Sequence, residues 1–146
     1  MGETRVDIML KNISDENLCK NGYISDKEIR SVEIKALVDT GAVSIVINED
    51  ICQKLGLRIE GMHFARLVQP APLAGGGKVN CKITEGVRIC WKDRDAICQA
   101  VVLPEGEPLL GVIPLEFMDL IVDPVAEQLV GAHGDRIVSR IMLELE

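Results

Sequence analysis

Over residues 31–47 the sequence alternates, becomes continuously apolar, breaks at Asp39-Thr40-Gly41 and resumes as a β-branched run. Alternation in Ser31-Val32-Glu33-Ile34-Lys35 has the period of a strand with one buried face. The run Ala36-Leu37-Val38 that follows predicts a strand entering a core with both faces covered. Such a strand delivers one carboxylate and one hydroxyl into a tight turn on a rigid base. Asp, Thr and Gly are ordinary turn formers, so the triplet alone signals only the end of a strand. Its setting says more. Val43-Ser44-Ile45-Val46-Ile47 is again strand-like, and Asn48 or Glu49 can open a short helix, Asp50-Ile51-Cys52-Gln53-Lys54-Leu55, closed by Gly56. The turn is therefore expected to join two buried strands.

Composition narrows the body that carries this turn. Hydrophobic residues make up 47% of the 146 but aromatics only 3%, so the core must be built from Val, Ile, Leu and Ala. That favours sheets of β-branched residues and an all-β fold. The length fits one domain, residues 1–146, large enough for a real core and short for two. A net charge of −7 with no clustered Lys and Arg argues against a phosphate-binding surface, so no nucleic-acid partner is expected. Met1-Gly2-Glu3-Thr4-Arg5-Val6-Asp7 lacks the basic start and apolar stretch of a secretory signal, and no apolar run is long enough to cross a bilayer. The expectation is a cytoplasmic protein without a membrane partner. Val6 in place of Ser or Thr sets N-myristoylation aside. The five cysteines, Cys19, Cys52, Cys81, Cys90 and Cys98, are odd in number and contain no Cys-x-x-Cys pair, which indicates neither a disulfide framework nor a zinc site. Cys90 and Cys98 flank the turn Trp91-Lys92-Asp93-Arg94-Asp95 and could face one another across a hairpin, although free Cys commonly packs as a small core hydrophobe.

Thr4-Arg5-Val6-Asp7-Ile8-Met9-Leu10 reads as a first strand, and the polar stretch from Lys11 to Lys27, with its Asn21-Gly22 turn signal, as an extended hairpin. The segment 57–67 is mixed. Beyond it, Gln69-Pro70-Ala71-Pro72-Leu73-Ala74-Gly75-Gly76-Gly77 concentrates two prolines and three glycines, which suits a loop able to close over an extended peptide. Val87-Arg88-Ile89-Cys90-Trp91 and the run 96–103 form a strand pair, and the apolar spacing of 111–120, with Pro114 in a first turn, predicts a short helix. Two strands around a turn follow at 120–124 and 128–131, with a last strand at 137–143. His133 near Asp135 suggests a triad or metal site, but it lacks a nucleophile or ligand spacing and is read as structural or solvent-facing.

Taken in order, the apolar-apolar-Asp-Thr-Gly-Ala element, the glycine-rich Gly75-Gly76-Gly77, the strand pair and Pro108-Leu109-Leu110-Gly111 resemble the retropepsin-like aspartic proteases. The tail, Leu120-Ile121-Val122-Asp123-Pro124 with Leu129-Val130-Gly131, is more similar to the small single-lobe members from bacteria than to the viral ones. The resemblance implies an all-β, retropepsin-like single-lobe acid-protease barrel with a flap hairpin and one short C-terminal helix. It implies an aspartic endopeptidase with no cofactor and no metal, whose partners are a second copy of itself and an extended peptide or protein substrate. By the same resemblance Asp39 is the catalytic acid/base, Thr40 braces the two active-site loops across a two-fold axis, and Gly41 lets the backbone approach substrate. Ala42 matches the small residue that follows, and Gly75, Gly76 and Gly77 are the flap tip.

That chemistry needs two carboxylates sharing a proton, and the chain supplies one Asp-Thr-Gly. Asp123 follows an apolar run too, but leads into Pro124-Val125 without hydroxyl or glycine. A homodimer on a two-fold axis is then required, since that symmetry brings Asp39 to face its counterpart. The alternative from another class is a non-catalytic dimeric module that keeps the fold and grips peptides without cutting them.

Overall fold

The computed structural model describes residues 3–66 and 78–138. In chain order the elements are β1 (Arg5–Asn12), α1 (Ile13–Lys20), a single 3₁₀ turn (Asp26–Glu28), β2 (Ser31–Val38), β3 (Ile45–Asn48), α2 (Glu49–Leu55), β4 (Ile59–Arg66) and β5 (Lys78–Trp91). They continue as β6 (Arg94–Leu103), β7 (Leu109–Leu110), α3 (Val112–Phe117), β8 (Leu120–Asp123) and β9 (Gln128–Gly131).

Seven strands form one sheet in the order β1-β2-β7-β3-β6-β5-β4, and an added β1–β5 pairing closes six of them into a barrel with β4 outside the ring. A closed ring leaves few unpaired strand edges, which a small all-β chain must otherwise protect. Inside lies an aliphatic core that includes Ile8, Leu10, Ile45, Ile47, Leu55, Val87, Ile89 and Leu110, each 2% exposed or less. Among the residues whose burial is described no aromatic side chain is buried, and Trp91 packs against the cluster only partly buried. The described residues thus form an all-β barrel of six closed strands.

The β7 strand determines where the Asp39 turn sits. It runs parallel to β2, with Leu37 opposite Leu109 and Val38 opposite Leu110, and antiparallel to β3, with Ile45 opposite Leu110. A two-residue strand from late in the chain is therefore wedged between the strands on either side of the Asp39 turn. Without it, the inner edges of β2 and β3 would lack backbone partners.

Several local elements form as the sequence predicts. Asn48 caps α2 by accepting from the Ile51 amide at 3.0 Å, and Gly56 ends the helix with φ +63°, a left-handed conformation that suits glycine. The predicted β3 strand starts two residues late, at Ile45, because residues 43 and 44 still belong to the turn. In β2 only Ala36 is fully buried while Leu37 and Val38 are partly exposed, so the strand does not enter the core covered on both faces. The stretch 11–27 is not a hairpin. Asn12 caps α1 by accepting from the Asp15 amide at 2.9 Å, Asp15 and Glu16 occupy the first turn and Lys20 the last, so the charges complement the helix dipole. Asn21-Gly22 is the turn that ends it, Gly22 at φ +81°.

The mixed stretch before residue 67 is the strand β4, and α3 stops at Phe117, shorter than its apolar spacing suggests. Cys90 pairs with Asp95 and Cys98 with Val87, so the two cysteines do not oppose each other, and none of the five cysteines is in a disulfide. Ile137 and Val138 are not in a strand, and the rest of the expected last strand lies outside the described residues.

Candidate active site

Asp39 stands where β2 ends, and backbone bonds hold its turn on both sides. The Asp39 amide donates to the Leu110 carbonyl at 3.0 Å, the Ala42 amide to the Asp39 carbonyl at 3.0 Å, and the Val112 and Ile113 amides to the Ala42 and Val43 carbonyls at 2.9 and 2.8 Å. The turn is stitched to the β7–α3 junction at three points. Gly111 makes this possible: a Cβ there would lie 2.3 Å from the Ser44 carbonyl oxygen and 2.6 Å from that of Ala42. Both obstacles are backbone, so no side chain fits without moving the turn.

The Asp39 side chain is half-buried, with Thr40 and Gly41 exposed beside it and Ala42 half-buried. Its Oδ1 accepts from the Gly41 amide at 2.8 Å, and a Cβ on Gly41 would crowd that oxygen at 3.1 Å. Its Oδ2 has no hydrogen-bond partner among the described residues. Below the turn, the Ser44 hydroxyl donates to the Gln99 carbonyl and lies 3.5 Å from the Cys98 sulfur. Burial raises the Cys98 thiol above its ordinary range, with bonds from Ser44 and the Ile45 amide acting the other way. Ser44 thus ties the turn to β6. It was not among the residues expected from sequence, and its only signal was a hydroxyl four residues after Thr40 where a strand was expected to begin.

Of the other residues singled out in the sequence, Gly75, Gly76 and Gly77 lie outside the described residues. The hairpin arms that lead to and from them, β4 and β5, pair from Ile59 opposite Thr84 to Arg66 opposite Lys78. Asp123 is occupied elsewhere, accepting from the Val125 and Ala126 amides at 3.0 and 3.2 Å to close the β8–β9 turn. His133 pairs not with Asp135 but with the buried Asp119, its Nδ1 2.7 Å from Oδ2. Asp119 Oδ2 also accepts from the Val138 amide at 3.0 Å, and the buried Arg94 donates to the carbonyls of Met118 and Asp119. Burial acts to raise the Asp119 carboxyl, but bonds from His133 and Val138 and the nearby charges of His133 and Arg94 bring it below its usual range. This cluster fastens the chain after β9 and does not contact Asp39.

A cavity of about 250 Å³ opens beside Thr40, lined chiefly by Val112 and Leu115 of α3 and by Leu120, Ile121 and Val122 of β8. Among the described residues no group of three or more His, Cys, Asp or Glu side chains could hold a metal ion, and no helix is long and apolar enough to cross a membrane.

Comparison of the sequence with protein-family models and with curated proteins gave no match. Among solved structures, the chain is similar to EIAV protease complexed with the inhibitor HBY-793, at 15% sequence identity and a TM-score of 0.45, over 75% of this chain and 82% of that one. The chain's own strand pairing closes a barrel with β7 wedged beside the Asp-Thr-Gly turn.

Proposed function

We propose that the chain is an aspartic endopeptidase whose active site forms when two copies bring their Asp39 carboxylates together on a two-fold axis. The observation that supports this best is the Asp39 turn itself. It is pinned by Leu110, Ala42 and Ser44, and its carboxylate keeps one oxygen without a partner among the described residues. A single acid held this way has little chemistry of its own. Two such acids close together cannot both ionise cheaply, so they share one proton and titrate as a pair, as aspartic-protease dyads are known to do.

In that pair the ionised carboxylate takes a proton from a bound water as the water oxygen attacks the peptide carbonyl carbon. The protonated partner donates a hydrogen bond to the carbonyl oxygen as it gains charge. Collapse of the tetrahedral intermediate breaks the C–N bond, and the departing amine takes up a proton from the dyad. Thr40 braces the paired turns, and Gly41 with Ala42 leaves room for an extended substrate. Residues 1–146 form one catalytic domain acting in a reducing cytoplasm, where cysteines outside disulfides persist.

Asp39→Asn removes the ionisable oxygen while keeping shape and the acceptor for the Gly41 amide. Peptide cleavage should fall to background with thermal stability unchanged. Cleavage by the variant at the parent rate would refute the assignment. A parent chain that binds peptides as a dimer without cutting them would favour the binding-module alternative.

A further inference from the structure

The β5 strand changes partners midway. Its first part pairs with β4 and its last part, from Val87 to Cys90, with β1. The change falls on Thr84-Glu85-Gly86, where both neighbouring ladders lose register. On one side Ile59 faces Thr84 but Gly61 faces Ile83; on the other Ile83 faces Val101 but Gly86 faces Gln99. Bulges at one level in two adjacent ladders bend the hairpin there.

Two polar side chains are buried at the bend, Thr84 at 0% and Glu85 at 8% exposure. Thr84 Oγ1 accepts from the Ala100 amide at 3.0 Å, so the backbone group opposite the bulge stays paired. Glu85 reaches two other elements. One carboxylate oxygen accepts from the Ser14 hydroxyl in the first turn of α1, and the other from the Arg58 amide at 2.6 Å, while the Glu85 amide donates to the Arg58 carbonyl at 2.9 Å. Arg58, immediately before β4, is held from both sides by one residue. Behind this contact Asp15 accepts from the Arg30 amide, Nε and Nη2 at 2.8–2.9 Å, and Asn12 Nδ2 donates to the Leu55 carbonyl at 2.7 Å. The root of β4 is thereby fastened to α1, which is itself tied to the end of α2 and to Arg30 just before β2.

A buried carboxylate is costly unless its oxygens are satisfied, and an apolar side chain could fill the same bend without that cost. What an apolar residue cannot do is bond α1 and the β4 root at once. We infer that Glu85 is a positioning residue that sets the angle at which the β4–β5 hairpin leaves the barrel, with Ser14 of α1 as its second anchor. The α1 segment thus acts as a strut for the hairpin. Under the peptidase reading, on which only the effect on substrate rests, Glu85 acts on substrate through the set of the hairpin arms and does not touch it.

Hydrogen exchange of the full chain, compared with Glu85→Ala and Ser14→Ala, tests this. Loss of the anchor should speed exchange of amides 59–66 and 78–84 about tenfold in Glu85→Ala, and less in Ser14→Ala, with β3 and β6 changing less than twofold. Uniform acceleration across all strands, or unchanged exchange in β4, would overturn the inference. Ser14→Ala removes one donor only and decides the matter alone if Glu85→Ala does not fold. On a cleaved peptide, KM should rise about tenfold in Glu85→Ala with kcat within twofold, whereas a fall in kcat at constant KM would count against positioning. If the parent cleaves no peptide, the peptidase reading fails and the exchange pattern alone decides the role of Glu85.

Discussion

Replacing Gly111 with alanine probes the joint between β7 and the Asp39 turn. The added methyl would stand 2.3 Å from the Ser44 carbonyl oxygen and 2.6 Å from that of Ala42, and because both are backbone no rotamer change can relieve it. The strand or the turn must shift. Overpacking of this kind costs about 1–3 kcal/mol. The shift also breaks or lengthens the Val112 and Ile113 amide bonds to Ala42 and Val43, now 2.9 and 2.8 Å, at about 1 kcal/mol each. The sum is about 3–5 kcal/mol, or a fall in Tm of about 10 °C for a chain of this size. Thermal unfolding by circular dichroism measures the loss, and amide exchange at Asp39, Val112 and Ile113 shows whether it is local. At Gly56 the atom a new Cβ would meet is the Arg30 guanidinium, 1.8 Å away but at the end of a flexible side chain, so the clash there can be relieved by rotation and the cost is mainly the left-handed backbone. A Gly111→Ala protein that melts within about 1 °C of the parent, or melts lower with those three amides still protected, would show that the close approach does not hold the turn.

Leu110→Ala empties a fully buried position between β2 and β3 and should cost about 2–5 kcal/mol by chemical denaturation. A loss under 1 kcal/mol would mean that β7 is not part of the core. The bonds from Arg30 hold the buried Asp15 carboxyl below its usual range against the opposing effect of burial. A depressed carboxylate pKa gives stability that is fully present above the ordinary value near 4 and is lost as pH falls through the folded value. Asp15→Asn should therefore lower stability at pH 7 and flatten its decline between about pH 4 and pH 2, measured by urea titration across that range. An unchanged acid limb would show that the pair contributes nothing to folding.

How much of this was legible in the sequence depended on whether the cause was local. The β2 strand, the Asp39 turn, the Asn48 cap and the Gly56 stop each follow from residues within a few positions of one another, and all were readable. The helix α1 was not, because its apolar spacing is weak and its support comes from distant groups. Its cap Asn12 bonds to Leu55, and its Asp15 to Arg30. The β4 strand was missed for a similar reason, since Gly61 interrupts its alternation and its register shifts between Ile59 and Gly61. Around Asp39 the strand and turn were legible from their own residues, while the bracing by Ser44 needs β6 alongside before its hydroxyl has a carbonyl to meet. His133 is of the same kind: it was read as structural or solvent-facing, but the partner that holds it, Asp119, comes to it only through the fold.

The order in which these contacts can form bears on the function. The Asp39 turn has two sources of support, its own strands and the β7–α3 junction, and the second arrives only when residues 109–113 have been threaded between β2 and β3. Pairings so far apart in sequence form late, because the loop between them must close before the contact repays it. The carboxylate is consequently not held until almost the whole described barrel is in place, and a chain truncated before Leu109 would carry the full Asp-Thr-Gly motif on an unsupported turn. Under the dimeric reading a second condition follows, since a folded single chain still presents one acid. An acid site that needs both a completed barrel and a second completed barrel has no hydrolytic chemistry in partly folded or nascent chains, and its activity should rise with the square of concentration wherever monomers predominate. Dilution series of the peptide-cleaving activity measure that exponent, and a first-order dependence down to concentrations at which sedimentation shows only monomer would place the chemistry within a single chain.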